Sequence, residues 1–186
     1  SESRVFINGP TGSGKELIAR KIYKNSKRSD GPFIIINGAL LDANKYELEL
    51  FGEEKNDGSI LYGAFEKASG GVLLIDEVTE IPLEIQSKIL RVIIDQKFKR
   101  LNSTHDIKVD VRIFCSTSKD MSIEIKNGNF REDLFHRLNV FNIKIDPLNK
   151  RIEDIPMLID YFIDNICKTY SYKKFSIKDN NYLLNY

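Results

Sequence analysis

The sequence predicts a three-layer α/β domain built on a five-stranded parallel sheet and followed by a helical segment. A glycine-rich loop at residues 9–15 stands between an apolar run and a helical pattern. Near-continuous apolar runs, typical of strands that helices cover on both faces, recur along the chain. One of these runs ends in two acids, Asp76 and Glu77. Because open α/β sheets bind ligands at the carboxyl ends of their strands, we expect the loop and the acids to share one edge.

Five apolar runs predict the strands. They are Arg4–Asn8, Phe33–Asn37, Val72–Ile75, Val111–Cys115 and Val140–Ile145. Two helices are predicted within this region, at Lys15–Ser26 and at Pro82–Gln96, where an apolar stripe recurs at helical spacing. The alternation over Lys99–Asp110, around Asn102-Ser103-Thr104, favours a β-hairpin that leads into the fourth strand.

The sheet signal stops at Pro147, and Ile155–Tyr170 and Lys178–Tyr186 are predicted to be helical. We therefore expect residues 1–147 to form an α/β nucleotide-binding subdomain and residues 148–186 to begin a helical lid that is truncated. Since the chain starts almost directly on a strand and stops inside an apolar-polar pattern, we expect it to be a fragment of a longer polypeptide.

Composition excludes several classes of function. Lys and Arg total 28 against 27 Asp and Glu, a net charge of +1, so the basic excess of a segment that grips nucleic acid by itself is missing. No apolar run approaches the roughly 18 residues of a membrane span, and no leader opens the chain, which predicts a soluble, cytoplasmic protein without membrane contact. Cys115 and Cys167 lack CxxC spacing, and Cys115 is interpreted as a core residue. His105 and His136 are solitary, which predicts no metal role.

Residues 9–15, GPTGSGK, fit the phosphate-binding pattern GxxxxGK between a strand and a helix. The pattern predicts binding of ATP or ADP with Mg²⁺ for three reasons. The loop amides turn inward, the helix start adds a positive dipole end, and the lysine reaches the β- and γ-phosphates. The predicted cofactor-binding residues of this loop are Gly9, Pro10, Thr11, Gly12, Ser13, Gly14, Lys15 and Glu16. The alternative is a glycine turn with a chance lysine.

Glu16 stands where the general motif has a Mg²⁺-ligating Ser or Thr, so the metal must use a water or another carboxylate.

The acidic strand end predicts the complementary half of the site. Asp76 is expected to hold Mg²⁺ through water, and Glu77 to polarise the attacking water, because phosphoanhydride hydrolysis mostly needs positioning and charge compensation. A purely structural pair of acids stays an alternative, although adjacent buried carboxylates are costly without a cation.

Several longer strings support a family resemblance. In order they are GPTGSGKE, ELFG, GGVLLIDEV, QSKILRVI, FREDLFHRLNV and PLNKRIEDIP. Together they resemble the AAA+ central domain of NtrC-type response regulators from about Arg4 to the last residue, and Glu16 is usual in that family. The resemblance implies an oligomerising control module of a two-component transcription regulator, assembling with itself between a dimer and a hexamer-type ring. It also implies a receiver domain before Ser1, through which a sensor histidine kinase acts. After Tyr186 it implies the second sensor arginine and a DNA-binding domain.

The resemblance assigns two polar positions near the predicted site. Asn37 matches the family's residue that holds the catalytic glutamate, here Glu77, until nucleotide is sensed; a satisfied strand-end asparagine is the alternative. Thr117 or Ser118 matches the first sensor, which contacts the γ-phosphate or the lytic water, although Ser118 stands where Asn is usual.

Two arginines match the family's arginine fingers. Arg131 and Arg137, in FREDLFHR, are implied to reach the γ-phosphate of a neighbouring subunit and stabilise transition-state charge. They stand beside Glu132 and Asp133, so surface ion pairs are the alternative.

One part of the sequence departs from the family. After ELFG its members carry a GAFTGA loop that contacts sigma-54, whereas residues 53–66 here read EEKNDGSILYGAFE. The motif is absent, and the stretch most resembles the alphaproteobacterial NtrX sub-group, whose members are similar in lacking that loop. We therefore expect no contact with sigma-54, a short solvated tip over Lys55–Tyr62, and a helix starting at Gly63-Ala64-Phe65 with Phe65 in the core.

Two other functions stay open at this point. A nucleotide-gated dimerisation module with negligible ATPase activity fits the altered loop and Ser118. A generic P-loop kinase or helicase loader explains the glycine loop and the acid pair but not ELFG or FREDLFHRLNV.

Overall fold

The computed structural model describes residues 2–42 and 45–170. Its chain divides into two compact units, Ser1–Ile145 and Asp146–Tyr186. The division falls after Ile145, just before the boundary that the sequence analysis placed near Pro147. The predicted helix Lys178–Tyr186 lies outside the described residues.

The first unit alternates strands and helices. Its strands are β1 (Val5–Asn8), β2 (Phe33–Asn37), β3 (Gly52–Glu54), β4 (Ile60–Tyr62), β5 (Val72–Asp76), β6 (Lys97–Phe98), β7 (Ile107–Lys108), β8 (Arg112–Thr117) and β9 (Phe141–Lys144). Its helices are α1 (Lys15–Lys24), α2 (Tyr46–Phe51), α3 (Ala64–Lys67), α4 (Leu83–Asp95), α5 (Met121–Lys126) and α6 (Glu132–Leu138).

The main sheet has the strand order β2-β5-β8-β1-β9, and every neighbouring pair is parallel. Each of the five apolar runs forms one of these strands, so the predicted five-stranded parallel sheet is confirmed. Register places Asn37 of β2 beside Asp76 of β5. The carboxyl ends of β1, β2, β5 and β8 therefore meet at one edge, where the glycine loop begins.

Both faces of the sheet are covered, as the near-continuous apolar strands predict. Along β5, Leu73 and Ile75 join a core with α4 and α6, whereas Val72 and Leu74 join the opposite core with Ala19 of α1. The three-layer arrangement is thus confirmed. Cys115 is fully buried, and burial raises the pKa of its thiol well above its ordinary range, in keeping with a core residue.

Helix α4 confirms the predicted helix of Pro82–Gln96 with one residue fewer at each end. Pro82 stands at the N-cap, where its missing N–H is not needed. The apolar stripe faces the core, and burial of an isoleucine such as Ile89 contributes roughly 2 kcal/mol. Gln96 ends the helix in the left-handed conformation, with a φ of 52°.

Two short antiparallel ribbons project from this framework. The β6–β7 ribbon is the predicted hairpin, starting at Lys97 rather than Lys99. The β3–β4 ribbon was not predicted, because its strands span only three residues each and lack a periodic signal. Helix α3 follows β4 directly and buries Phe65 completely, which confirms the predicted helix start.

The second unit begins with two 3₁₀ turns, Leu148–Lys150 and Ile152–Asp154, followed by helix α7 (Ile155–Tyr170). The predicted helix over Ile155–Tyr170 is confirmed. Among the described residues, no helix is both long and apolar enough to cross a membrane.

Candidate functional site

A cavity of about 520 Å³ opens at the carboxyl edge of the sheet. It lies between the glycine loop and the ends of β2, β5 and β8. Its lining residues are Thr11, Gly12, Gly14, Lys15, Glu16, Asn37, Ala39, Leu40, Asp76, Glu77, Glu80 and Ser118. The structure therefore brings most of the sequence-predicted site residues together, although they are spread over more than half of the described chain.

The glycine loop is anchored at both ends. Gly9 donates its N–H to the carbonyl of Thr117 at 3.2 Å, and a Cβ on Gly9 would lie only 2.8 Å from the carbonyl oxygen of Ile145. Gly14 precedes α1 with a φ of 94°, a left-handed conformation that favours glycine. Among the described residues no side chain caps α1, so the amides of its first turn remain available to an anion.

Lys15 points its ammonium group into this cavity and is 7% exposed. Its Nζ donates to the carbonyls of Gly9 at 3.1 Å and Pro10 at 3.4 Å. The third contact is an ion pair with Oε1 of Glu77 at 3.0 Å. An ammonium has three donors, so the described contacts engage all of them.

Glu77 directly follows β5 in a left-handed conformation with a φ of 49°, which is uncommon for a residue other than glycine and costs about 1 kcal/mol. Its second oxygen, Oε2, accepts from both the backbone N–H and the hydroxyl of Ser118, each at 2.9 Å. Burial raises the pKa of Glu77, but the hydrogen bonds from Ser118 and Lys15 outweigh it, so the pKa lies below its ordinary value of 4.5. Glu77 is consequently ionised at neutral pH.

Asp76 is held by its neighbours on the sheet. Oδ2 accepts from the Asn37 amide at 2.9 Å, and Oδ1 accepts from the Ser116 hydroxyl. The expectation that Asn37 holds Glu77 is wrong for this structure. Register explains the difference: Asn37 lies directly beside Asp76, while Glu77 has already left the strand and turned toward Ser118.

The prediction that Thr117 acts as a sensor residue is also wrong for this structure. Its side chain is fully buried and bonds the hydroxyl of Thr79 at 2.9 Å, so it faces away from the cavity. Side chains alternate along β8, which leaves the next residue, Ser118, at the cavity. Of the two predicted sensor positions, only Ser118 reaches Glu77.

The sequence did not predict the side-chain contacts between the turn after β5 and the end of β8. Three pairs join these segments: Glu77 with Ser118, Thr79 with Thr117, and Glu80 with Lys119. The last is an ion pair of 2.8 Å at the cavity rim. The only signal in the sequence was the polar character of both segments, and pairing them requires the strand order.

The two predicted arginine fingers do not line the cavity of their own chain. Arg131 donates to both carboxylate oxygens of Asp133, at 3.0 and 2.7 Å, and to Ser87 at 3.0 Å. The alternative of a surface ion pair therefore describes Arg131 in this structure. Arg137 is exposed, and its guanidinium forms no ion pair with any residue described here.

The fold and the site together define a P-loop NTPase domain. The family model described as the sigma-54 interaction domain matches residues 1–144, and the chain belongs to that family. The nitrogen assimilation regulatory protein NtrX of Azorhizobium caulinodans is 48% identical over 170 residues, which cover 91% of this chain and 37% of that protein. The transcriptional regulator NtrC of Escherichia coli is 43% identical over 88% of this chain and 36% of that protein.

Solved structures of NtrX also resemble this chain. The crystal structure of NtrX from Brucella abortus in complex with ATP matches with a TM-score of 0.89 and 45% identity, covering 95% of this chain and 39% of that one. The complex of the same protein with ADP matches with a TM-score of 0.90 and 44% identity, covering 97% and 40%. The chain thus spans less than half the length of the relatives that it matches.

Proposed function

We propose that this domain binds ATP and ADP with Mg²⁺, and hydrolyses ATP, as the AAA+ control module of a two-component transcription regulator. The observation that carries the proposal is the single cavity in which Lys15 of the glycine loop meets Asp76 and Glu77. The NtrX structures with ATP and ADP support it, since their chains are closely similar to this one over this domain.

Each half of the cavity has a distinct task in this proposal. The amides of residues 9–16 and the Lys15 ammonium hold the phosphates. Asp76 holds Mg²⁺ through water, and the ion, when bound, compensates the phosphate charge.

Glu77 is the proposed catalytic carboxylate. It is ionised and lies beside the phosphate-binding lysine, so it is placed to accept a hydrogen bond from the attacking water. Ser118 is the proposed sensor, because its hydroxyl faces the same cavity and already contacts Glu77. Asn37 acts on Asp76 and keeps that carboxylate in place.

Hydrolysis requires a second copy of the chain in this proposal. Arg131 and Arg137 lie outside the cavity of their own chain, so either one acts as a finger only on the nucleotide of a neighbour. We therefore propose self-assembly between a dimer and a hexamer-type ring. Residues 1–147 are proposed as the nucleotide-binding subdomain, and residues 148–186, which include α7, as the start of the helical lid.

The remaining partners lie outside this chain. We propose a DNA-binding domain after it, a receiver domain for a sensor histidine kinase before it, a cytoplasmic location and regulation without sigma-54 contact. The near-zero net charge of this segment fits a role in assembly rather than in gripping DNA.

A second candidate is a nucleotide-gated dimerisation module with negligible ATPase activity. One observation favours it: both oxygens of Glu77 are already engaged, one by Lys15 and one by Ser118. Three of the roughly four acceptor positions of the carboxylate are then occupied, which leaves little capacity to orient water.

One experiment separates these functions. ATP binding is measured by calorimetry, and ATPase activity is followed over a wide range of concentrations of the full-length protein. Binding together with a specific activity that rises with protein concentration supports the hydrolytic module. Binding without turnover at any concentration supports the second candidate, and absence of binding overturns both.

A further inference from the structure

Glu77 and the incoming phosphate compete for the same ammonium group. The described contacts of Lys15 already use its three donors, on Gly9, Pro10 and Glu77. Two of these acceptors are backbone carbonyls of the loop itself. Glu77 is the one acceptor of the three that lies on a side chain, so a change of its rotamer withdraws it from the lysine without moving the loop.

Ser118 stabilises the competing position. It contributes two donors, the backbone N–H and the hydroxyl, to the oxygen of Glu77 that Lys15 does not contact. Hydrogen bonds to an ionised acceptor are among the stronger ones in proteins. While both are formed, the carboxylate stays against the lysine.

Hydrogen bonds hold the segment that carries Ser118. Thr117, immediately before it, is anchored on Thr79 at 2.9 Å and also accepts the N–H of Lys119 at 3.1 Å. The Lys119 ammonium is engaged by Glu80 and does not compete for Glu77. Ser118 is therefore presented at a fixed position, and Glu77 is the movable member of the pair.

We infer that Ser118 is a positioning residue that holds the Glu77 carboxylate against Lys15 until a nucleotide phosphate binds the lysine in its place. This inference rests on the proposed function, since it requires that the cavity binds ATP. It assigns to Ser118 the restraint that the family resemblance assigned to Asn37. It also sets the order of events: phosphate binds Lys15 first, and Glu77 is freed afterwards to face water.

The test is a double-mutant cycle read out by calorimetry with ADP and with a non-hydrolysable ATP analogue. Ser118→Ala removes one of the two restraints, so ADP, which has no γ-phosphate for a sensor to contact, should bind roughly three- to tenfold more tightly. The ATP analogue should gain less, because the same substitution also removes the proposed sensor hydroxyl. Ser118→Thr keeps the hydroxyl and should bind like the wild type. AMP, which lacks the β-phosphate, should show no change, and neither should Ser122→Ala, an exposed serine four residues further on.

The double-mutant cycle is completed by making Ser118→Ala in the Glu77→Ala variant, which has no carboxylate for Ser118 to hold. There Ser118→Ala should change the affinity for ADP by less than about twofold. Unaltered affinity of Ser118→Ala, or an equal gain with and without Glu77, would overturn the inference. If Ser118→Ala fails to fold, Glu77→Ala alone must bind ADP more tightly than the wild type, or the inference is wrong.

Failure of the proposed function has a different signature. In that case the wild type itself does not bind either nucleotide, and the inference falls with it. Wild-type binding that the cycle does not modulate overturns the inference alone. Turnover is not measured, so the test is equally decisive if hydrolysis is negligible.

Discussion

Lys15 and Glu77 form an ion pair, with Nζ and Oε1 3.0 Å apart, between the glycine loop and the end of β5. Both side chains are largely buried, so neither charge is well solvated without the other. The pair neutralises the charge of Lys15 before nucleotide is present. On the proposed function, a polyphosphate takes the place of this carboxylate on the same lysine.

Lys15→Ala should weaken ATP binding by at least roughly 30-fold, because a charge-assisted phosphate contact in a preorganised loop contributes about 2 kcal/mol or more. The measurement is calorimetric titration with Mg²⁺ and ATP. Lys21→Ala, an exposed lysine on the same helix, is the matched control and should bind normally. Undiminished affinity of the Lys15 variant would remove the glycine loop as the phosphate site.

Glu77→Gln should retain nucleotide binding and lose turnover, since the amide keeps the shape of the side chain but does not polarise water. Loss of the ion pair to Lys15 should also leave the affinity for ATP equal to or higher than that of the wild type. Glu84→Gln, in the exposed first turn of α4, is the control. Equal rates for Glu77→Gln and wild type in a steady-state ATPase assay would count against Glu77 as the catalytic carboxylate.

The sheet could be predicted from the sequence because β1, β2, β5 and β8 each contain at least three consecutive apolar residues, while the apolar residues of β9 alternate with polar ones. The glycine loop and the acid pair could be predicted because their spacing is local. The partner of Asn37 could not, since it depends on the register of β2 against β5. The exclusion of Thr117 and the selection of Ser118 depend likewise on which face of β8 each side chain occupies, and a six-residue strand without polar alternation does not reveal this.

The ribbon of β3 and β4 was missed for a related reason. Its order comes from contacts distant in sequence rather than from its own pattern: Glu54 donates its N–H to Leu101, and Leu101 donates its N–H to Gly52. Such pairings between separate ribbons leave no periodic trace. The helical region after Pro147 gave a stronger signal, because a 16-residue helix repeats its apolar spacing several times.

Arg100 and Glu66 provide a prediction about stability. Arg100 donates twice to the Glu66 carboxylate, at 2.7 Å each, in a pair that is about nine-tenths buried. Arg100→Met leaves that carboxylate buried without its partner, and it should lower the free energy of unfolding by about 2 to 4 kcal/mol. Urea denaturation at neutral pH measures the change.

Asp106→Asn is the matched control, because it breaks an exposed ion pair with Lys97 in the β6–β7 hairpin, whose connecting segment also contains Arg100. We expect almost no change in its unfolding midpoint, since exposed pairs contribute little. Comparable losses in the two variants would show that burial does not strengthen the contact between Arg100 and Glu66.

The arginine fingers predict activity that depends on protein concentration. Arg137→Ala should bind ATP normally but lose the rise in specific activity with concentration, because its exposed guanidinium is free to reach a neighbour. Arg131→Ala should have the same effect, although Arg131 must first leave Asp133. Asp133→Asn keeps Arg131 and weakens that pair, so it should not reduce turnover. A flat concentration dependence in an active wild type would contradict action in trans.

The last prediction is that this protein does not open sigma-54 promoters, although its family is that of the sigma-54 interaction domain. The contact surface implied by the resemblance is the GAFTGA loop, and the corresponding stretch here is the β3–β4 ribbon. Its tip, residues 55–59, is polar and exposed. The nearest phenylalanine, Phe65, is fully buried in α3 and is not available to a partner.

The ribbon is less polar than the sequence analysis expected, because Ile60, Leu61 and Tyr62 of β4 are 39%, 43% and 55% exposed. These side chains lie on a strand and not on an extended loop. The Tyr62 ring is also covered by the Arg100 guanidinium at 5.6 Å, and Arg100 is in turn held by Glu66. Because these contacts hold the ribbon, we expect it neither to extend nor to retract with the nucleotide state and ATP binding to have no route from Glu77 to sigma-54. The measurement is in vitro transcription from a sigma-54 promoter with the full-length, phosphorylated protein and ATP, beside a family member that carries GAFTGA as the positive control. Open complexes above the background without activator would refute the prediction, and they would place the contact on β4 instead of on a GAFTGA loop.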